Sequence, residues 1–192
     1  MNEIKDDVKR YLGEVSTICS SIDQEDIRNF CEGIKNIKEN GGRLFIMGVG
    51  GSAANSSHAV NDFRKILELE TYCPFDNVSE LTARINDDGW DTSVSNWLKV
   101  PRINEKDGVM VYSVSGGGEN TSHNLVKAML AAKEVGAKVF SITGRTDGEA
   151  NKLADYPVVV PNVSEERVTP HTEEWQGVVW HLVVTVLKDN LK

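Results

Sequence analysis

Leu44-Phe45-Ile46-Met47-Gly48-Val49-Gly50-Gly51-Ser52 sets four consecutive apolar residues ahead of a glycine-rich turn, and Ala53 to Leu67 beyond it reads as a helix. A short unbroken apolar run bounded by such a turn is the pattern of a strand buried on both faces. Glycines there let the backbone approach a ligand, and the free N–H groups and positive end of the next helix attract an anion, typically phosphate. The turn is not G-x-x-x-x-G-K-[ST], because no Lys follows. Nor is it G-x-G-x-x-G, because Ala53 stands at the third glycine and no acidic residue closes a clear second strand about 20 residues on. A small phosphate ester suits this turn better than a nucleotide.

The same strand, turn and helix recur downstream. Val109 to Val114 is apolar and runs into Ser113-Val114-Ser115-Gly116-Gly117-Gly118-Glu119-Asn120-Thr121-Ser122, a loop with four hydroxyls among its glycines, followed by a helical window from Asn120 to Val135. Lys138 to Ile142 and Pro157 to Val160 are two further strands, and Gly148 to Ala154 is a short helix. Such alternation predicts an α/β fold in three layers, a parallel sheet covered by helices on both faces and wound right-handedly. Ligands of such sheets sit beyond the carboxyl ends of the strands where the winding reverses, so the two glycine loops are expected to converge there.

Upstream, Val8, Tyr11, Leu12, Val15, Ile18 and Cys19 form one helical stripe and Ile27, Phe30, Cys31, Ile34 and Ile37 another, with Asp23 as N-cap and Gly41-Gly42 as stop. This is an N-terminal helical hairpin over 1–41, preceding an α/β core over 42–192; no repeat or linker divides the chain, and a single domain over 1–192 is expected. A last helix runs from about Thr172 to Leu187. Its apolar residues, Val178, Val179, Trp180, Leu182, Val183, Val184, Val186 and Leu187, cover more than one face, which predicts a homo-oligomer.

Composition narrows the function. A net charge of -8 without a basic cluster argues against direct nucleic-acid binding. The opening Met1-Asn2-Glu3-Ile4-Lys5 lacks the regions of a signal peptide and no segment suits a membrane span, so a cytoplasmic protein without membrane partners is expected. Cys19, Cys31 and Cys73 lack the spacing of a thiolate metal site or a disulfide framework.

These motifs together resemble the SIS (sugar isomerase) domain, and most nearly its phosphoheptose isomerases. The resemblance rests on G-x-G-G-S opening a helix that carries His58 and an acid four residues later, on S-x-S-G, and on a C-terminal helix with His181. It implies a homotetramer with active sites shared between subunits, converting sedoheptulose 7-phosphate to D-glycero-D-manno-heptose 7-phosphate for surface-polysaccharide precursors. Alternatives within the resemblance are an isomerase of another phosphosugar and a non-catalytic module of the kind associated with replication initiation. Gly50, Gly51, Ser52, Ser113, Ser115 and Ser122 would hold substrate, chiefly its phosphate, and Asn86 with Asp87 matches a substrate-contacting pair. His58, Asp62, Glu173 and His181 match positions that serve catalysis and in some members bind zinc. The chain departs from the family pattern at Val49 (usually Asn), Asp62 (Glu) and Glu173 (Gln), and its serine loop is about four residues longer.

Spacing alone puts His58 and Asp62 on one helix face. A carboxylate and an imidazole are what aldose–ketose isomerisation requires, a base for the proton beside the carbonyl and an acid for the developing oxyanion. Asp62 is therefore expected as base and His181 as acid, with His58 orienting or binding metal. Glu173 and His181 are eight residues apart, ~12 Å along one straight helix, against Zn–N and Zn–O bonds of ~2 Å. Joint ligation thus requires a bend before the helix or ligands from neighbouring subunits.

Overall fold

The computed structural model describes residues 2–191; Met1 and Lys192, the ends of the expected 1–192 domain, lie outside it. The elements in chain order are α1 (Asn2–Ser21), α2 (Gln24–Glu39), β1 (Leu44–Gly48), α3 (Gly51–Leu67), β2 (Thr71–Tyr72), α4 (Val78–Asp88), α5 (Trp90–Lys99), β3 (Gly108–Ser113), α6 (His123–Glu134), β4 (Lys138–Thr143), α7 (Glu149–Leu153), β5 (Tyr156–Val159) and α8 (Val168–Asn190). All strands pair in parallel in the order β2-β1-β3-β4-β5.

Every residue of β1 and β3 is buried, as their unbroken apolar runs require. Period-two alternation sends Leu44, Ile46, Met110, Tyr112, Phe140 and Ile142 into a core shared with α2, α3 and α8. Phe45, Met47, Val109, Val111 and Val139 face the opposite core, against α5 and α6. From β1 the chain winds outward to β2 and then returns to β3 on the other side, so the winding reverses between β1 and β3. The expected ligand position is thus the gap between their carboxyl ends.

The structure corrects several boundaries. The helix expected from Asn120 begins at His123, because Ser122 takes a left-handed conformation (φ 48°) that delays it. The last helix begins at Val168 rather than Thr172; Pro170 fits its first turn, where a missing N–H loses no helical bond. Elements β2, α4 and α5 escaped the pattern reading. The first is two residues long, and α4 buries none of its residues against this chain, so it presents no inward stripe.

The apolar surface expected for an oligomer is present. Ile4, Val8 and Leu12 of α1 and Val178, Leu182 and Val186 of α8 are exposed. A groove of about 590 Å³ lined by Cys19, Ile22, Ile27, Trp175, Leu182 and Val186 runs between the hairpin and α8. Exposed apolar patches of this kind mark contact surfaces.

α1 is pinned to the body by charge as well as by Ile18 and Ile22. Both Glu14 carboxylate oxygens accept from the Arg167 guanidinium at 2.8 Å, and His171 Nε2 lies 2.8 Å from Glu14 Oε2. Tyr11 donates to Glu174, whose other oxygen lies 3.6 Å from His171 Nδ1. The Arg167 hydrogen bonds, then that of His171, hold the Glu14 carboxyl down at about 2 instead of 4.5. A carboxylate depressed in the folded state contributes stability that is complete above its unfolded value and is lost as pH falls through its folded one. Acidification from pH 5 towards 2 is therefore expected to free α1 before the sheet unfolds, with hydrogen exchange rising first in α1 amides. Simultaneous exposure of α1 and β3 would contradict this.

Candidate active site

The two glycine loops meet at the reversal point. Val49 and Ser52 from the first and Ser113, Val114, Ser115 and Ser122 from the second line one cavity of about 270 Å³, closed by Tyr112 and Thr169. The first loop is shaped by close packing. A Cβ on Gly51 would fall 2.5 Å from Glu173 Oε2, so a larger residue there would push that carboxylate aside. Ser52 is buried and its hydroxyl accepts from Gln176 Nε2 at 3.0 Å; Asn55 Nδ2 in turn donates to Gln176 Oε1 at 2.8 Å and to the Glu173 carbonyl at 2.9 Å.

In the second loop Gly116 has φ 77°, and a Cβ there would meet Gly148 Cα at 2.8 Å. The Gly116 and Gly117 carbonyls accept from the first amides of α7, and Ser115 Oγ accepts from Gly117 N at 3.3 Å. The loop is thus folded back onto α7, which aims Ser113, Ser115 and Ser122 at Ser52 across the gap.

Beside this cavity, α3 packs on α8. Asp62 is 7% exposed, and its carboxylate accepts from Trp180 Nε1 at 3.1 Å (Oδ2) and from Asn61 Nδ2 at 3.0 Å (Oδ1). His181 Nε2 lies 3.3 Å and His58 Nε2 3.7 Å from Asp62 Oδ2. His181 Nδ1 is 2.7 Å from the Gly177 carbonyl, which can only accept; Nδ1 therefore carries a proton and Nε2 is directed at Asp62. Both imidazoles are exposed on the side of α8 that also presents Val178 and Leu182.

One ligand atom each from His58, Asp62 and His181 lie within 4.8 Å of one another. Two imidazoles and one carboxylate with a free fourth position suit a divalent ion such as zinc, and the Gly177 carbonyl on His181 Nδ1 is the kind of outer partner that orients a ligating histidine. Glu173 stands apart from this group. It lies on the same continuous α8 as His181, two turns earlier, with its carboxylate against Gly51. The bend considered as a route to joint ligation does not occur.

Of the remaining expected site residues, Gly50 caps α3, and Asn86 and Asp87 are exposed on α4, Asn86 Nδ2 donating to Asp87 Oδ1 at 2.7 Å. Among the described residues, neither member of this pair lines the serine cavity. His171 is buried in the first turn of α8. Sequence reasoning passed over Asn55, Tyr112, Gln176 and Trp180. The first stands three residues before His58 and the last beside His181, the one signal that flagged them.

The SIS domain family pattern matches residues 10–144. A probable phosphoheptose isomerase from Thermoplasma volcanium is 30% identical over 188 residues, covering 94% of this chain and 90% of its own. A phosphoheptose isomerase from Geotalea daltonii is 28% identical over 194 residues, covering 97% and 96%. The solved phosphoheptose isomerase of Neisseria gonorrhoeae shares the fold, with a TM-score of 0.83 at 24% identity over 97% of this chain and 99% of its own. With its fold, its paired glycine loops and these relatives in agreement, the chain belongs to the SIS domain family and, within it, to the phosphoheptose isomerase group.

Proposed function

We propose that this chain isomerises a seven-carbon ketose phosphate to the aldose phosphate, sedoheptulose 7-phosphate to D-glycero-D-manno-heptose 7-phosphate, as a cytoplasmic homotetramer supplying surface-polysaccharide precursors. The observation that carries the reading is the Asp62–His181 pair, 3.3 Å apart and sharing the Tyr112–Trp180 wall with the four-serine cavity. The names of the relatives support the same substrate. No helix among the described residues is long and apolar enough to cross a membrane. We read 1–192 as one domain.

The phosphate sits among Ser52, Ser113, Ser115 and Ser122, held by hydroxyls and by the amides of Gly50 and Gly51 at the α3 terminus. No Lys or Arg lines this cavity, so the ester is gripped by neutral donors and released readily. The far end of the sugar then reaches Asp62. Its carboxylate takes the proton from the hydroxyl-bearing carbon beside the ketone, and an enediol forms as the carbonyl oxygen accepts a proton from His181 Nε2. His181 recovers a proton from the other enediol oxygen while Asp62 returns its own to the former carbonyl carbon, so both groups end as they began. His58, Asp62 and His181 would hold zinc, and the ion would there supply polarisation of the carbonyl oxygen in place of the proton from His181 Nε2, which cannot ligate and donate at once. Glu173 acts here on substrate and the Gly51 turn, and Asn86 and Asp87 serve the site of a neighbouring subunit.

The test is incubation with five- to seven-carbon ketose phosphates, followed by NMR, with and without chelator. Conversion of the seven-carbon substrate alone, lost by at least about tenfold on chelation and recovered with zinc, is expected. Turnover unchanged by chelator retires the zinc assignment, and no conversion of any ketose phosphate retires the enzyme.

A further inference from the structure

Tyr112 is fully buried, and its hydroxyl has no hydrogen-bond partner among the described residues. Buried polar side-chain atoms nearly always have one, because an unpaired hydroxyl loses its hydrogen bonds to water and gains none in return. The position is specific. Tyr112 lies on the face of β3 turned towards α3 and α8, lines the serine cavity beside Ser113, and stacks on Trp180 with ring centroids 6.0 Å apart and planes 17° from parallel. Trp180 in turn donates to Asp62. Burial, and after it the charge of Asp62, raises the phenol well above its ordinary value, so it remains a neutral O–H throughout the working range.

We propose that the Tyr112 hydroxyl is a substrate-binding group that donates to a sugar oxygen between the phosphate and the reacting carbons, fixing how far the chain reaches from the serines to Asp62. The assignment rests on the sugar-phosphate reading above and deepens it. The serines and glycine amides already supply the donors that a phosphate needs, whereas Tyr112 lines their cavity and its ring stacks on Trp180, which donates to the carboxylate. Its partner is therefore an uncharged oxygen of the polyol. A tyrosine here also sets specificity, because a ligand lacking that oxygen leaves the hydroxyl buried and unpaired.

Tyr112→Phe removes one oxygen and keeps the ring on Trp180. Calorimetric titration of the intact protein with sedoheptulose 7-phosphate is expected to show affinity about 3- to 10-fold weaker, the loss of one uncharged hydrogen bond. KM should rise similarly with kcat within about twofold, as for an interaction made equally in ground and transition states. Inorganic phosphate should bind both proteins alike. The melting temperature should be unchanged or higher, because the variant removes an unpaired buried atom rather than a satisfied one. A fall in melting temperature would mean the hydroxyl has its partner inside the protein, and an equal loss for inorganic phosphate would put the contact on the ester; either overturns the proposal. Wild type that binds sugar phosphate no better than Tyr112→Phe overturns this inference alone, whereas wild type that binds no sugar phosphate overturns the functional reading as well.

Discussion

Asp62→Asn is expected to lower kcat for ketose phosphate isomerisation by about 10²–10⁴, with substrate affinity within a few-fold of wild type. The amide has the shape of the carboxylate but no basicity, so the proton beside the carbonyl has no acceptor. Binding survives because the groups that hold the phosphate, Ser52, Ser113, Ser115 and Ser122, lie in the adjoining cavity and do not touch Asp62. Fold survives too, since one amide oxygen can still accept from Trp180 Nε1 as Asp62 Oδ2 does at 3.1 Å. A fall of this size equals about 3–5 kcal/mol of transition-state stabilisation, more than loss of one ordinary hydrogen bond explains. Single-turnover NMR beside a binding titration separates the two effects. Wild-type kcat in Asp62→Asn would show that another group is the base, and a parallel collapse of affinity would show Asp62 to be a binding residue.

What could be read without coordinates follows from where the information lies along the chain. The central strands were legible because Leu44 to Met47, Val109 to Val114 and Lys138 to Ile142 must be apolar on both faces, a signal contained within each segment. The glycine loops were legible for the same reason, their chemistry lying within a few residues of a strand end. Residues 78–88 were not, because α4 buries no residue in this chain and its apolar stripe has its meaning only against another surface. The site was legible as far as His58 and Asp62 share one turn of α3. Its other bonds, Gln176 to Ser52 and Trp180 to Asp62, join residues 124 and 118 apart, and no local pattern records such pairings. Tyr112 reads in sequence as an ordinary strand aromatic; only packing shows that its hydroxyl is buried without a partner among the described residues.

Asp107→Ala is expected to destabilise the protein by about 3–5 kcal/mol, the usual result of removing one partner from a buried ion pair. Asp107 is 1% exposed and precedes β3. Its Oδ1 accepts from Arg43 N at 2.9 Å and Nε at 3.1 Å, and its Oδ2 from Arg43 Nη2 at 2.7 Å and from Asn104 N and Nδ2 at 3.0 and 3.1 Å. One carboxylate thus answers two backbone amides and a guanidinium, all of which lose their acceptor together. Arg43 keeps the carbonyls of Pro101 and Arg102, at 2.8 and 3.3 Å, and the Phe45 ring 5.2 Å from its guanidinium carbon, which hold its position without a carboxylate to balance its charge. This clamp fixes the register Leu44↔Gly108 at the amino ends of β1 and β3, and the glycine loops leave the carboxyl ends of those same two strands. Because that register is also held by the ladder itself, activity per folded molecule should be unchanged while the urea midpoint falls. The melting temperature should drop by roughly 10 °C, at about 2–4 °C per kcal/mol for a chain of this size. Arg43→Met/Asp107→Leu, which removes both charges and leaves neither stranded, should recover part of the loss; a double variant as unstable as the sum of the single ones would mean the two residues stabilise the sheet independently.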